Sequence, residues 1–441
     1  MGRAALDTPC PSIWRGLNSQ ARKETKMPLW GWSFSRRKFL TESSLLSVFT
    51  GLAGLRLWGR PMSEEVQATK RANIYARLGV RTRINAKGVY TYLSGSLLPP
   101  EVAQAMEEAS HHFVLIDELQ HVVGEKIARL LEVEAACVTS GAAGAIMLGT
   151  AACVAGKDPQ KIKRLPDLTG MKSEVIIQKS HRNGFDHAVR NIGVRLVEVE
   201  TEEDLERATN EKTAMMYFLN DAQSQGRISL KRWVEVGKRR GIPTFNDAAA
   251  DVPPVFRLSE YNKLGFDLVT FSGGKALRGP QCSGLLLGRK DLIEAALLNN
   301  NPNEDTIGRP MKVGKEEIVG LYVALERYLK VDHEVEWKNW EKQLETMEKT
   351  ISSVPGVRTG RFVPEVANHV PHLYLQWDEK AMGLTREDFV KKLREGEPSI
   401  ECLPDEYPQG LSVTPYMLQP GEEVIVASRL REILTEVSRV H

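Results

Sequence analysis

The sequence has few cysteines and almost no charge bias. Its five cysteines are scattered along 441 residues, with no C-x-x-C pair and no nearby histidine at a spacing typical of metal ligands. Neither a disulfide framework nor a zinc site is therefore indicated. Lys and Arg total 59 against 57 Asp and Glu, a net charge of +2. A balance this close to zero gives no chain-wide attraction for nucleic acid or an anionic membrane.

Internal repeats and low-complexity tracts are also missing, and the apolar run 45–55 is shorter than the about 20 residues of a membrane span. Hydrophobic residues make up 42% and charged residues 26% of the chain, as is typical of a globular protein. The length predicts two or three domains.

Residues 1–60 contain the pattern of an export leader. Ser35 to Leu40 read S-R-R-K-F-L, and the apolar run 45–55 follows. This arrangement resembles a twin-arginine signal, so we expect the twin-arginine translocation machinery as a partner and the bacterial periplasm as the destination. The alternative is a basic tail before a short buried helix, in which case the protein stays in the cytoplasm. Residues 61–100 are then expected to form an N-terminal arm.

From 101 to 310 the chain alternates helical segments with short apolar runs that end in small or polar residues. The order β-α-β-α predicts an α/β domain with a doubly wound, mostly parallel sheet and its active face at the carboxyl ends of the strands. Residues 311–441 start with a long helical stretch over 314–347 and predict a smaller C-terminal α+β domain. The predicted strands of the large domain are Ala135–Thr139, Val175–Ile177, Ala214–Leu219, Ile242–Phe245, Leu268–Phe271 and Gly284–Leu287.

Three polar motifs follow predicted strands. Ser140, Gly141 and Ala142 open a helix whose free N–H groups can bind a phosphate, although small residues are equally suited to a tight turn. Asp247 follows another strand, where a carboxylate can pair with the pyridine nitrogen of pyridoxal 5'-phosphate (PLP); Asp251 is the rival position. Lys275 lies on a glycine-rich loop after a third strand, where desolvation would make it a nucleophile and base.

His181 lies just after the strand at Val175–Ile177, between the phosphate loop and Asp247 in chain order. An imidazole at this position can stack on a flat cofactor ring, although a single histidine is commonly structural. The sequence of phosphate loop, histidine, aspartate and lysine on successive strands predicts a PLP site.

Together these motifs resemble the PLP enzymes of fold type I, and within them the selenocysteine-synthase-like family. That family includes seryl-tRNA selenium transferases and D-glucosaminate-6-phosphate ammonia-lyase-like proteins. The resemblance covers about Ile84 to the C-terminus and includes Ile84 to Gly88, Asp117 to Gln120, Thr139 to Ala143, His181 to Asn183, Asp247 to Ala250 and Ser272 to Lys275.

The resemblance implies an aminotransferase-like fold and a role for each motif. Lys275 would be the Schiff-base lysine, Asp247 the pyridine partner and His181 the ring-stacking residue. The cofactor phosphate would be bound by Ser140, Gly141, Ala142 and Ser272. The family also implies a homodimer or larger homo-oligomer with active sites near subunit contacts.

Two departures from the selenium transferases favour a lyase acting on a small anionic amino acid. The segment Tyr92 to Ser96 replaces an Asn-Leu-Gly-Arg segment, and Arg278 stands where a glycine is expected. We therefore expect a sugar-derived or similar amino acid substrate, held by Arg182, Arg278 and Arg309, and no nucleic acid partner. Selenium transfer to seryl-tRNA, racemisation or aldol cleavage, and a catalytically silent exported scaffold remain the alternatives.

Overall fold

A seven-stranded sheet is the centre of the computed structural model, which describes residues 73–404 and 410–438. The predicted leader over 1–60 lies outside the described residues. The strands are β2 (Ala135–Thr139), β3 (Glu174–Gln178), β4 (Arg195–Val199), β5 (Thr213–Leu219), β6 (Thr244–Asp247), β7 (Leu268–Ser272) and β8 (Gly284–Gly288); β1 (Ile84–Asn85) lies elsewhere.

The strand order is β2-β8-β7-β6-β5-β3-β4, and only β8 runs antiparallel to its neighbours. β3, β5 and β8 are buried along their whole length, which explains their continuous apolar sequences. All parallel strands direct their carboxyl ends to the same edge. The predicted mostly parallel α/β sheet is confirmed.

Helices cover both faces of the sheet, as a doubly wound fold requires. Residues 73–351 contain α1 (Ile74–Arg77), α2 (Pro100–Ser110), α3 (Ile116–Leu131), α4 (Gly141–Ala155), α5 (Pro159–Arg164), α6 (His187–Arg190), α7 (Glu202–Ala208), α8 (Leu230–Arg240), α9 (Arg257–Leu264), α10 (Lys290–Leu298), α11 (Lys315–Tyr328) and α12 (His333–Ile351). One face is packed by α3, α8 and α11, and the other by α4 and α10.

A smaller unit with its own core follows the large sheet. It consists of β9 (Val357–Phe362), β10 (His372–Trp377), α13 (Glu379–Met382), α14 (Arg386–Glu395), β11 (Ile400–Glu401), β12 (Gly410–Val413) and α15 (Glu422–Ser438). The strands β9, β10 and β12 are antiparallel, and β11 pairs with β1 from the N-terminal arm.

The division between the two cores differs from the predicted boundary at 310/311. The predicted helix over 314–347 is two helices, because α11 ends at Tyr328 and Asp332 caps α12. Ile318 and Leu321 of α11 lie in the core of the large sheet. Ile84 and Ala86, in the predicted arm, lie in the core of the smaller unit. Among the described residues, no helix is both long and apolar enough to cross a membrane.

Candidate active site

The predicted aspartate and lysine lie at the carboxyl edge of neighbouring strands. Asp247 is the last residue of β6 and is paired in register with Thr270 of β7. β7 ends two residues later at Ser272, and Lys275 lies in the turn that follows. Because β6 and β7 are neighbouring parallel strands, both residues lie at the same edge of the sheet, where the charge of Asp247 acts to raise the pKa of Lys275.

Lys275 is desolvated but surrounded by carboxylates. Burial lowers its pKa, while the charges of Asp247, Asp251 and Asp221 oppose that effect. An amine with a lowered pKa is more often neutral near pH 7 and can act as nucleophile or base. The environment of Lys275 therefore suits the chemistry predicted for it.

The loop that carries Lys275 is held tightly at its base. The N–H of Gly273 donates to the Ser283 carbonyl at 2.9 Å, and a Cβ on Gly274 would lie 2.5 Å from the Cα of Gln281. From the N-terminal arm, the Ser96 hydroxyl donates to the Gly274 carbonyl at 3.0 Å. The loop thus has little freedom to move, and glycine is needed where the backbone is closest.

Asp247 is almost completely buried, with 5% of its surface exposed. The Tyr217 hydroxyl donates to Oδ2 at 2.7 Å, and the N–H of Ala249 donates to Oδ1 at 3.1 Å. Burial raises the pKa of this carboxyl, while the two hydrogen bonds and the charge of Lys275 act to lower it. The two hydrogen bonds and the charge of Lys275 therefore favour the carboxylate form of Asp247 and oppose the effect of burial.

A second buried carboxyl, the rival Asp251, lies in the same region. The Tyr261 hydroxyl donates to its Oδ2 at 2.8 Å, and the amide of Asn220 donates to the same oxygen. Burial raises the pKa of Asp251 to about 7. This group therefore changes charge near neutral pH.

The titration of Asp251 predicts a pH-dependent stability. Its pKa in the folded protein, about 7, lies above the usual 3.8, so the ionised folded state is penalised progressively from about pH 4 to pH 7. Asp251→Asn removes this penalty, and we expect its stability relative to the wild type to be greater at pH 8 than at pH 5. Urea unfolding of both proteins at the two pH values measures the difference. An equal difference at both values would contradict the raised pKa.

The predicted phosphate loop begins α4 at the carboxyl end of β2. Ser140 precedes the first helical turn but makes no side-chain capping bond, and that turn contains no acidic residue. The positive helix end and its first N–H groups are therefore left for an anion. Gly141 has a φ of +75° and open space where a Cβ would lie.

Gly284 of β8 joins this loop to Ser272. It is paired in register with Ser272 on one side and Thr139 on the other. A Cβ on Gly284 would lie 2.4 Å from the carbonyl carbon of Gly141 and 2.7 Å from the N of Ala142. The close backbone approach at Gly284 thus places Ser272 near the start of α4, as the predicted phosphate site requires.

Gly284→Ala is expected to displace the start of α4, because the added methyl group meets backbone atoms that cannot rotate away. We expect a loss of about 1–3 kcal/mol in the free energy of unfolding, the usual cost of overpacking, together with weaker PLP binding. Gly184→Ala is the control, since its Cβ would meet nothing within 4 Å. Urea denaturation and PLP titration of both variants give the measurement; equal behaviour of the two would refute the close contact.

His181 is completely buried, and the structure places its ring in a network of protein contacts. The N–H of Leu219 donates to its Nδ1 at 3.2 Å, and the ring meets the edge of Phe218 with centroids 4.4 Å apart. Burial lowers the pKa of the imidazole to about 4, so the ring is neutral. Its stacking on a cofactor stays a prediction.

The three predicted substrate arginines have different surroundings. Arg182 is engaged by ion pairs with Asp186 and Glu198, so its guanidinium is already occupied by the protein. Arg278 lies three residues after Lys275 with a φ of +54°, and it donates to the Tyr416 carbonyl at 3.4 Å. Arg309 makes no side-chain hydrogen bond or ion pair with the described part of the chain. All three roles stay predictions, and within the described residues Arg278 and Arg309 are less engaged by other side chains than Arg182 is.

Two side chains near the site were not predicted from the sequence. Tyr217 contacts Asp247 from β5, and Asp221, in the 3-10 turn Asn220–Gln225 after β5, acts electrostatically on both Asp247 and Lys275. The signal for Tyr217 was a hydroxyl within a buried apolar strand, where such a group needs a partner.

These residues fit PLP. An uncapped helix start without acidic residues suits its phosphate, a buried carboxylate held by two donors suits its pyridine nitrogen, and a desolvated lysine suits its aldehyde. No group of three or more His, Cys, Asp or Glu able to hold a metal ion occurs among the residues that the structure describes.

Comparison with known proteins gives relatives that align over most of the chain. D-glucosaminate-6-phosphate ammonia lyase of Salmonella typhimurium is 33% identical over 82% of this chain and 98% of its own length. The 5'-C-glycyluridine monooxygenase-decarboxylase of a Streptomyces species is 31% identical over 82% of this chain and 92% of its own length. The L-seryl-tRNA(Sec) selenium transferase of Aquifex aeolicus is 26% identical, but the match spans about half of that enzyme.

Solved structures support the same grouping. A structure of D-glucosaminate-6-phosphate ammonia-lyase superposes with a TM-score of 0.72 and 31% identity, covering 83% of this chain and 99% of the other. The Sphingomonas wittichii serine palmitoyltransferase, at 13% identity and a TM-score of 0.52, shares the fold alone. The predicted fold type I architecture is confirmed.

The family model described as L-seryl-tRNA selenium transferase matches residues 84–353, more than half of the chain. The predicted family, its enzymatic nature and its cofactor are therefore confirmed. This chain belongs to the L-seryl-tRNA selenium transferase family of PLP-dependent enzymes.

Proposed function

We propose that this protein is a PLP-dependent lyase that releases ammonia from a small anionic, sugar-derived amino acid and leaves a 2-oxo acid. The observation that carries the proposal is the placement of a desolvated Lys275 and the buried, hydrogen-bonded Asp247 at one sheet edge. The similarity to an ammonia lyase over nearly the whole length of that enzyme supports the choice of reaction.

Bound PLP supplies an electron sink for the negative charge that develops at Cα of the substrate. Asp247 would pair with its ring nitrogen, and the start of α4 with Ser140 and Ser272 would hold its phosphate. Lys275 would attach it to the protein. These assignments use the residues that the fold brings to the carboxyl edges of β2, β6 and β7.

Lys275 also moves the proton in the proposed reaction. Its lowered pKa lets the neutral amine take the proton from Cα, and the resulting ammonium can return a proton to the leaving hydroxyl at Cβ. One water is lost in this elimination and one is consumed when the amino group is hydrolysed. The net products are a 2-oxo acid and ammonia, so no oxidant or reductant is needed.

The anionic end of the substrate would be held by arginine. In the described part of the chain, Arg309 makes no ion pair. Arg278 makes one long side-chain hydrogen bond there, to the Tyr416 carbonyl at 3.4 Å. Arg182 is less available because Asp186 and Glu198 engage it.

The proposal is tested by incubating the PLP-loaded protein with D-glucosaminate 6-phosphate, the unphosphorylated acid and L-serine, and measuring ammonia and 2-oxo acid. We expect equal amounts of both products, with the phosphorylated substrate preferred. A protein that binds PLP but releases neither product from any of the three would overturn the assignment.

A second candidate is oxidative decarboxylation of a glycyl nucleoside, because the relative that performs a monooxygenase-decarboxylase reaction covers as much of the chain as the lyase does. That reaction would consume dioxygen, whereas elimination would not. Dioxygen uptake with 5'-C-glycyluridine, compared with ammonia release under anaerobic conditions, separates the two. Racemisation or aldol cleavage would appear instead as a change of chirality or as a free aldehyde.

We propose that the chain does not act on tRNA. The selenium transferases align over only about half of their length, and the net charge of +2 offers no broad attraction for RNA. Tight, salt-sensitive binding of seryl-tRNA would contradict this, and a protein that binds neither PLP nor tRNA would favour the silent scaffold.

We also propose that the protein is a homodimer or a larger homo-oligomer. The loop between α2 and α3 leaves the apolar side chains of Phe113, Val114 and Leu115 exposed, with Phe113 fully in solvent. Such a patch is typical of a protein interface. Light scattering during size-exclusion chromatography gives the mass, and a monomer at micromolar concentration would refute the proposal.

Export by the twin-arginine route is proposed from Arg36 and Arg37 within the S-R-R-K-F-L segment. Changing both to lysine retains the charge but removes the arginine pair. Cell fractionation should find the wild type in the periplasm and the double variant in the cytoplasm; identical fractions would contradict export by this route.

A further inference from the structure

Both carboxylate oxygens of Asp247 have a donor, and the two donors differ in kind. The N–H of Ala249 lies two residues along the same chain segment, so it accompanies Asp247 wherever β6 ends. The Tyr217 hydroxyl reaches across from β5 and donates to Oδ2 at 2.7 Å. Tyr217 is therefore the one of these two donors that substitution can remove.

The position of the Tyr217 hydroxyl is fixed by strand register and packing. β5 and β6 are parallel, with Tyr217 opposite Phe245 and Leu219 opposite Asp247. Because side chains alternate along a strand, Tyr217 points to the same face of the sheet as Asp247. Its ring is completely buried and meets Phe245 at 71° with centroids 6.0 Å apart, so the phenol has a single orientation.

We infer that Tyr217 is a positioning residue for the cofactor, because its hydroxyl donates to Asp247 Oδ2 at 2.7 Å and so orients the carboxylate for pairing with the pyridine nitrogen of PLP. A carboxylate offers about four lone pairs, and the two observed donors leave the others free. A neutral carboxylic acid could not form the charged pair. Burial raises the pKa of Asp247, and the bond from Tyr217 is the largest of the effects that lower it.

A purely structural role is the competing interpretation, since a buried hydroxyl costs stability if it lacks a partner. Tyr217→Phe distinguishes the two, because it retains the packed ring and removes the hydroxyl together with its need for a partner. Tyr261→Phe is the matched control. Tyr261 is also buried and donates to a buried carboxyl, Asp251, at 2.8 Å.

The first readout is the dissociation constant of PLP, followed by its near-visible absorption without any substrate. We expect Tyr217→Phe to weaken PLP binding about tenfold at pH 7, as loss of a hydrogen bond to a charged acceptor allows. Tyr261→Phe should stay within about twofold of the wild type, a change too small to reflect one such bond. Equal PLP affinity in Tyr217→Phe and the wild type would overturn the inference.

The second readout is the pH dependence of the same constants. Without the phenol donor the pKa of Asp247 moves further upward, so raising the pH should restore the charge of Asp247 in the variant. The charged groups that face Asp247 are Lys275, Asp221 and Asp251, and all are retained in the variant. The ratio of variant to wild-type dissociation constants should therefore fall with pH. A ratio that stays constant would leave only a structural effect and would reject the inference.

The inference rests on the proposed function only in requiring that PLP binds. A wild type that fails to bind PLP would refute both. A wild type that binds PLP but forms no ammonia would refute the proposed reaction while the comparison of Tyr217→Phe with Tyr261→Phe still decides the role of Tyr217.

Discussion

Lys275→Ala is expected to abolish ammonia release, with a loss of at least about 10³-fold in kcat, the upper part of the range for a general acid–base group. Lys275 has two tasks in the proposed reaction, attachment of PLP and removal of the Cα proton, and alanine performs neither. Ammonia release under saturating substrate and PLP gives the measurement. The near-visible spectrum should also lose the band that depends on covalent attachment.

One control variant and one measurement of folding separate this loss from unfolding. Lys263→Ala removes an exposed lysine paired with Glu132 and should retain full activity. Lys275→Ala should fold, because it removes a group whose charge is penalised by burial. Normal turnover in Lys275→Ala, with a folded protein shown by circular dichroism, would contradict the central assignment.

Most of the large sheet could be predicted because its strands are short, apolar and fully buried. The strand at Ala135–Thr139 was predicted to the residue. β4 was missed. It lies at the edge of the sheet, and its sequence R-L-V-E-V is half exposed and lacks a continuous apolar run.

The missed strand also explains why the environment of Arg182 could not be predicted. Glu198, which pairs with Arg182, lies on β4, so this partner could not be expected without that strand. The break between α11 and α12 was not predicted, for a related reason. Both helices continue an amphipathic pattern, and the new start is marked by the Asp332 side chain, which accepts hydrogen bonds from the N–H groups of Glu334 and Val335.

The site was predictable where chain order alone places residues together, as for Asp247 and Lys275 after adjacent parallel strands. Contacts that depend on the register between strands could not be predicted. Tyr217 meets Asp247 because β5 and β6 pair with Leu219 opposite Asp247, and the sequence of either strand alone does not give that register.

Asp247→Asn should lower kcat by at least about 10²-fold, the loss usual for one preorganised electrostatic group. An amide has nearly the shape of the carboxylate and can still accept the bond from Tyr217, but it cannot form a charged pair with the pyridine nitrogen. Steady-state ammonia release and PLP affinity should both fall. Asp251→Asn is the matched comparison, because Asp251 is also buried and its charge also acts on Lys275.

The two variants separate a specific pairing from a general effect of negative charge. If the carboxylates act only through the pKa of Lys275, Asp247→Asn and Asp251→Asn should change activity in the same direction and to a similar extent. If Asp247 pairs with the ring nitrogen, Asp251→Asn should lose less than about tenfold while Asp247→Asn loses at least about 10²-fold at every pH. Similar losses in both would assign Asp247 to tuning the lysine rather than to holding the cofactor.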